Sequence, residues 1–242
     1  LSRGGSGVGR TEDGRVIFVP LTAPGDRVRA RIVELEKHFA QGELQEIVTA
    51  SPVRVTPRCP VFGRCGGCQW QHLPYDLQWK TKVSGVRHAL KRVLLEPPHL
   101  PAEFEELSAE QIWEYRNRIQ LRGEGAVMGF FERGSRRLVP VDRCDIARPE
   151  INAVWEKTRK IGAEKRRSWK AEVEVLPSGE IQTSWNAPHA AQGFRQVHDG
   201  QNQKLQNWVS KRIAPGSWVL DLFGGSGNLS FGSAPRAARV DC

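Results

Sequence analysis

No stretch of the 242-residue sequence approaches the roughly eighteen apolar residues needed to cross a bilayer, which excludes a helical membrane protein. The start of the chain does not read as a secretory signal peptide either. Cysteine is scarce, with five residues in all, too few for a disulfide framework at this length. Reduced thiols in a cytoplasmic protein are expected instead. The phosphate-loop ending Gly-Lys-Ser/Thr is absent, and so is the G-x-G-x-x-G fingerprint of dinucleotide binding. Negative charge is the minority sign: 36 Lys and Arg stand against 27 Asp and Glu, a net charge of +9. That excess favours a polyanionic partner, most simply nucleic acid, although many basic surfaces are only solvated. The chain opens on Leu1 and its only methionine is Met128, so a fragment of a longer protein is expected.

What the sequence does have is a cysteine-rich stretch, Cys59-Pro-Val-Phe-Gly-Arg-Cys65-Gly-Gly-Cys68-Gln-Trp-Gln-His72. Pro60 and Gly66-Gly67 bend the chain between the three thiols, which is what a soft metal centre requires. Cys144, in Val141-Asp-Arg-Cys-Asp145, is the only other internal cysteine and would complete a set of four, tying two stretches of chain together. Four thiolates accept either tetrahedral zinc or an iron–sulfur cluster, and buried free thiols without a metal are the third reading. Zinc sites more often come as two close pairs, whereas this layout is three plus one.

The remaining chain divides by pattern. Residues 1–52 read as a small OB-like β-barrel: a turn at 4–9, strands at 15–19, 27–33 and 44–50, and a break at Phe39–Gly42. Arg27, Arg29 and Arg31 alternate along one strand, either as a solvated face or as an RNA-contacting one. Residues 53–187 read as an α+β domain. A basic helix runs from Tyr75 to Leu95 with Leu77, Val83, Val86, Leu90, Val93 and Leu94 at helical spacing, and Pro97-Pro98 stops it. Strands are expected from Tyr115 to Leu121, with hairpins pairing 127–131 with 138–141 and 170–176 with 180–184. A helix is expected over 151–162. Lys165, Arg166, Arg167 and Lys170 with Trp169 interleaved could grip a phosphate backbone while stacking a base, or could be a solvated loop.

From 188 to 242 the character changes. A helix over Gly200–Ile213 precedes Ser217-Trp-Val-Leu-Asp-Leu-Phe223, read as a buried strand ending in an acid, and then Gly224-Gly-Ser-Gly-Asn228. Strand, acid and glycine loop define the first crossover of a doubly wound sheet, whose ligand binds at the carboxyl edge. Asp-x-x-Gly-x-x-Gly without a phosphate-binding lysine suits a nucleoside-bearing, phosphate-free ligand such as S-adenosylmethionine.

Assembled in this order, the pieces resemble the RNA uridine C5-methyltransferases of the TRAM-containing, iron–sulfur branch. The resemblance rests on Gly-Gly-x-Gly-x-Gly-Arg at 4–10, C-x5-C-G-G-C-x-x-Q-H at 59–72 and Tyr-Arg-Asn-Arg at 115–118. It continues with Cys144, Phe-x-Gln-Val at 194–197 and Asp-Leu-Phe-Gly-Gly-Ser-Gly-Asn at 221–228, so it covers essentially the whole chain. It implies a multidomain α/β plus β architecture: a TRAM barrel, an α+β iron–sulfur domain and the beginning of a Rossmann-like methyltransferase domain. It implies a [4Fe–4S] cluster on Cys59, Cys65, Cys68 and Cys144, and S-adenosylmethionine contacts at Gln196, Asp221, Phe223, Gly225 and Asn228. The implied substrate is a uridine in RNA, ribosomal rather than transfer RNA, with a monomeric protein and no membrane partner. In that family a cysteine thiolate attacks C6 of the uracil and a carboxylate base later removes the C5 proton.

Two positions depart from the family pattern: His198 stands where asparagine is common, and Gly224, sterically harmless by expectation, where cysteine is common. The largest departure is the end. Leu229–Ala238 reads as a crossover helix and Arg239–Cys242 as the start of the next strand. The nucleophilic cysteine, its base and the ribose-binding acid are then expected beyond residue 242, with these residues inactive by themselves. Two other functions compete: a non-catalytic RNA-binding module with a structural metal, and a zinc-stabilised nucleic-acid binder, for which the glycine loop would have no use.

Overall fold

The computed structural model describes all residues except Arg3, 94–104, Arg166, 189–192, Phe231 and Ser233. The end of the expected basic helix at Leu94–Leu95, its Pro97-Pro98 stop, and Arg166 lie outside the described residues. The chain forms two compact units, one comprising 1–106 with 131–137 and the other 107–130 with 138–242.

In the first unit β1 (Gly7–Arg10) turns at Gly14 into β2 (Val16–Val19), and β3 (Arg27–Leu35) pairs antiparallel with β4 (Phe39–Thr49). The strand order is β1-β2-β4-β3, with β2 and β4 parallel. Ile17, Val19 and Ala40 form the buried centre, with Ala30 and Leu44 against it. Two expectations are corrected here. Gly4–Gly5 turn, but Gly7–Arg10 continues as a strand rather than a strand-end turn. The expected break at Phe39–Gly42 is instead the start of β4. Gly42 serves packing there, since a Cβ on it would lie 2.9 Å from Ile17 Cδ1. Along the β3–β4 ladder Arg29 pairs with Glu46 and Arg31 with Glu43, all exposed, so two of the three arginines face carboxylates across the strands. Exposed pairs of this kind contribute little to stability.

The helix after the cysteine stretch, α1 (Tyr75–Val93), buries none of its residues. Val86 and Val93 are more than half exposed, so the residues at helical spacing are only partly covered among the described residues.

The second unit is built on an antiparallel sheet. Its strands are β5 (Arg118–Glu124), β6 (Val127–Phe131), β7 (Leu138–Pro140), β8 (Trp169–Val175) and β9 (Ile181–Trp185), ordered β7-β6-β5-β8-β9. The helix expected over 151–162 is two, α2 (Pro149–Ala153) and α3 (Trp155–Ala163). They break at Val154, whose ψ of 7° leaves the helical region. Alternation along β8 sends Trp169, Ala171, Val173 and Val175 into the core with Ile119, Leu121, Ile151 and Trp155, and turns Glu172 and Glu174 to the other side. Trp169 is therefore not available to stack a base, contrary to expectation. It is 3% exposed, its Nε1 donates to the Gly125 carbonyl at 3.3 Å, and its ring meets Trp185 edge-on.

After α4 (Asp199–Arg212), β10 (Trp218–Leu220) and β11 (Arg239–Asp241) run parallel as a two-stranded sheet. The run Ser217–Phe223 supplies a shorter strand than expected. β10 is only three residues long, and Trp218, Leu220, Leu222 and Phe223 are 67–104% exposed, with no described residue covering them. The expected crossover helix over Leu229–Ala238 is likewise absent among the described residues, which are turns there, while Phe231 and Ser233 lie outside them.

Candidate cofactor edge and cysteine loop

The Tyr-Arg-Asn-Arg segment is the anchor of the second unit's candidate site. Asn117 is fully buried. Its N–H donates to the Val197 carbonyl at 2.9 Å, and its Nδ2 donates to the Gln196 carbonyl at 2.9 Å and to Asp199 Oδ1 at 2.6 Å. One carboxamide thus fixes the backbone of the expected cofactor segment at the start of α4. Arg118, 4% exposed, lies between Glu172 and Glu174 and donates to the Gly193 carbonyl. Arg195 donates to the Val175 carbonyl and reaches Glu174 and Asp199. The polar side of β8 therefore serves to hold residues 193–199.

The other half of the edge is seated on α4. Asn202 and Asn228 exchange reciprocal amide bonds of 2.8 and 2.9 Å, and Gln206 donates to the Asn228 carbonyl at 2.8 Å. Asn202 and Gln206 are four residues apart on one helix face, so their i, i+4 spacing was the available signal for this contact, which sequence reading missed. Asp221 accepts from the Ser230 hydroxyl, and its backbone N–H pairs with the Asp241 carbonyl. A Cβ on Gly224 would lie 2.9 Å from Asp221 Oδ2, the end of a side chain, so a larger residue there requires the carboxylate to shift. Gly225 and Gly227 adopt positive φ, and Phe223 does so at 64° with its ring fully exposed, a left-handed conformation costing about 1 kcal/mol. Of the expected cofactor residues, Asp221, Phe223, Gly225 and Asn228 share this one turn. Gln196 stands at the opposite end of the same connection through α4, with its side chain exposed and its carbonyl bound.

In the first unit the cysteine stretch is pinned at several points. Cys59 N–H donates to Gln71 Oε1 at 3.1 Å, Gly66 N–H to the Phe131 carbonyl at 2.9 Å, and Arg133 to the Cys68 carbonyl at 3.2 Å. Trp70 Nε1 reaches the Gly5 carbonyl at 2.9 Å, and the buried His72 faces the Thr22 carbonyl, fastening the stretch to the strands. Burial pushes the Cys65 thiol above its ordinary value, and the neighbouring Cys68 and Cys59 add to this, against the Gly67 N–H and Arg133. A donor set of this kind suits a cation. All five cysteines are outside disulfides, and Gly67 N–H points at Cys65 Sγ at 3.4 Å. Among the described residues, however, no group of three or more His, Cys, Asp or Glu is gathered at metal-binding distances. Cys144 lies in the second unit, where its N–H and carbonyl are held by the Asn152 side chain.

The TRAM domain model matches residues 1–45. The relatives are RNA methyltransferases. The chain is 33% identical to an uncharacterized RNA methyltransferase of Bdellovibrio bacteriovorus over 98% of its own length and 61% of the relative's. It is 30% identical to a 23S rRNA (uracil(1939)-C(5))-methyltransferase of Erwinia tasmaniensis over 98% of its length and 66% of that protein. The chain thus spans about three fifths to two thirds of these curated relatives. In fold it is similar to the Pyrococcus abyssi tRNA (uracil-54, C5)-methyltransferase crystallised with S-adenosyl-L-homocysteine, with a TM-score of 0.65, 21% identity, and coverage of 94% of this chain and 70% of that one. No helix among the described residues is long and apolar enough to cross a membrane.

Proposed function

We propose that this chain serves the S-adenosylmethionine-dependent methylation of a uridine at C5 in RNA, ribosomal rather than transfer RNA. In this reading residues 1–52 and the basic segments of 53–187 hold RNA, and 188–242 hold the cofactor at Gln196, Asp221, Phe223, Gly225 and Asn228. The observation that carries it is the glycine turn at 224–227, opened for close approach and locked to α4 through Asn228, Asn202 and Gln206. The similarity to RNA methyltransferases along 98% of the chain supports the same reading.

The chemistry is covalent. A cysteine thiolate adds to C6 of the uracil, the C5 carbanion takes the methyl group and S-adenosylhomocysteine leaves. A base then removes the C5 proton, and elimination returns the thiolate. The reading assigns neither nucleophile nor base to a residue of this chain, so binding rather than turnover tests it. Cys59, Cys65, Cys68 and Cys144 are the proposed thiolate ligands of a [4Fe–4S] cluster, which when bound supplies a structural cross-link.

Calorimetric titration with S-adenosylhomocysteine is the test. Binding is expected in the wild type and weakening in Asn228→Ala. A wild-type chain that does not bind the ligand would overturn the cofactor assignment. Iron and sulfide analysis of anaerobically purified protein tests the cluster separately. Equal iron and sulfide, lost in Ser variants of the four cysteines, is the expected result. A colourless protein with stoichiometric zinc would favour an RNA-binding module with a structural metal.

A further inference from the structure

The residue before α4 is a histidine with both ring nitrogens engaged. His198 Nδ1 accepts the Gln201 N–H at 3.3 Å and so caps the helix. Its Nε2 lies 2.9 Å from the Gln111 carbonyl, and its ring stacks on Tyr115 with centroids 4.7 Å apart and 16° between the planes. A backbone N–H only donates and a carbonyl only accepts. One species alone makes both bonds together, the neutral imidazole carrying its proton on Nε2. The other tautomer fails at both contacts. The imidazolium loses the cap and sets a positive charge against the positive end of the helix.

The charged groups around His198 are engaged with other partners. Asp199, the next residue, already accepts from Asn117 at 2.6 Å and from Arg148 at 3.2 Å, with Arg195 at 3.8 Å. From the segment preceding β5, Tyr115 contributes its ring, Arg116 bridges to His198 through the backbone, and Glu114 is engaged by Arg143 at 3.7 Å. The first turn of α4 is further braced by Gln201 on the Leu107 carbonyl at 2.8 Å and by Lys204 on the Ser108 carbonyl at 3.0 Å.

That turn joins the two halves of the cofactor edge, since Gln196 and Val197 enter it and Asn202 within α4 holds Asn228. We propose that His198 is a positioning residue for the cofactor: held between the Gln201 N–H, the Gln111 carbonyl and the Tyr115 ring, it seats the start of α4 and with it the segment that carries Gln196. This rests on the cofactor reading above.

The test is S-adenosylhomocysteine titration with wild type, His198→Asn and His198→Ala, paired with amide exchange at Gln201. Losing a helix cap corresponds to at most about fivefold in affinity. His198→Asn, which keeps a side-chain cap, is expected to bind like wild type, and His198→Ala to bind up to about fivefold more weakly with Gln201 protection lost. An Ala variant that binds like wild type, or an Asn variant as weak as Ala, would overturn the proposal. If no variant binds the ligand, the cofactor reading fails while the Gln201 protection factor still decides the positioning role. Protection lost in His198→Ala but kept in His198→Asn supports that role, and identical protection in all three variants refutes it.

Discussion

Replacing Asp26 by asparagine should destabilise the first unit by an amount that depends on pH. Asp26 ends the turn into β3 with a side chain only 1% exposed. It accepts from Ala23 N–H at 2.6 Å, Ser51 N–H at 2.9 Å, and Arg54 Nε and Nη2 at 2.9 and 2.6 Å. Burial by itself would raise its pKa. The Arg54 guanidinium and the two backbone N–H groups outweigh burial and hold the carboxyl at about 2, against an ordinary 3.8. At ~1.36 kcal/mol per pH unit, that depression is worth about 2.4 kcal/mol. Because the folded-state pKa is the lower one, the contribution is complete above pH 3.8 and disappears as pH falls to about 2. An amide at this position turns two of its own hydrogens toward groups that only donate. The gap between wild type and Asp26→Asn should therefore be about 2.4 kcal/mol or more at neutral pH, and constant down to about pH 5. It should close between about pH 4 and pH 2. Urea-dependent hydrogen exchange of β3 and β4 amides reads the first unit without interference from the second. A gap that persists undiminished to about pH 2.5, or is absent at pH 7, would refute the reasoning.

Two further substitutions probe the packing of each unit. Burial, with the charges of Arg54 and Arg133, pushes the pKa of His72 below the ordinary 6.5. The unfolded chain then takes up its proton first, and stability of the first unit should decline as pH falls below 6.5. The same exchange measurement on His72→Gln should show no such step, and a step retained in the variant would assign it elsewhere. In the second unit, Gly162→Ala would place a Cβ 2.2 Å from Trp169 Cζ2, in a slot closed on its other side by Gly123. Overpacking of this kind costs ~1–3 kcal/mol, and an unchanged thermal unfolding midpoint would show that Trp169 moves aside freely.

Elements carried by local pattern were legible in the sequence. β3, β8, the 127–140 hairpin and α4 lie where alternation, turn residues and helical spacing put them. Residues whose role depends on a distant neighbour were misjudged. Trp169 sits in a basic run and reads as exposed, yet β8 lies between β5 and β9 in its sheet and that strand's alternation turns the ring inward against Gly123 and Gly162. Gly42 reads as a break because glycine breaks strands, whereas its missing Cβ makes room for Ile17. The apolar spacing of α1 is regular, yet none of its residues is fully buried among the described residues.

The amino-acid order by itself determined which chemistry the chain can carry: clustered thiols, an acid followed by a glycine turn, and a positive net charge. These depend on residue type and spacing along a few bonds. Only the tertiary structure decided that Asn117, some eighty residues before Gln196 and Asp199 in the chain, holds both of them. It likewise decided that α4 carries Asn228 and that Asp26 holds Arg54, in the segment leading to the cysteine stretch, against the start of β3. A buried carboxamide or carboxylate must satisfy its hydrogen bonds with whatever the fold brings to it, and local spacing carries no record of those partners.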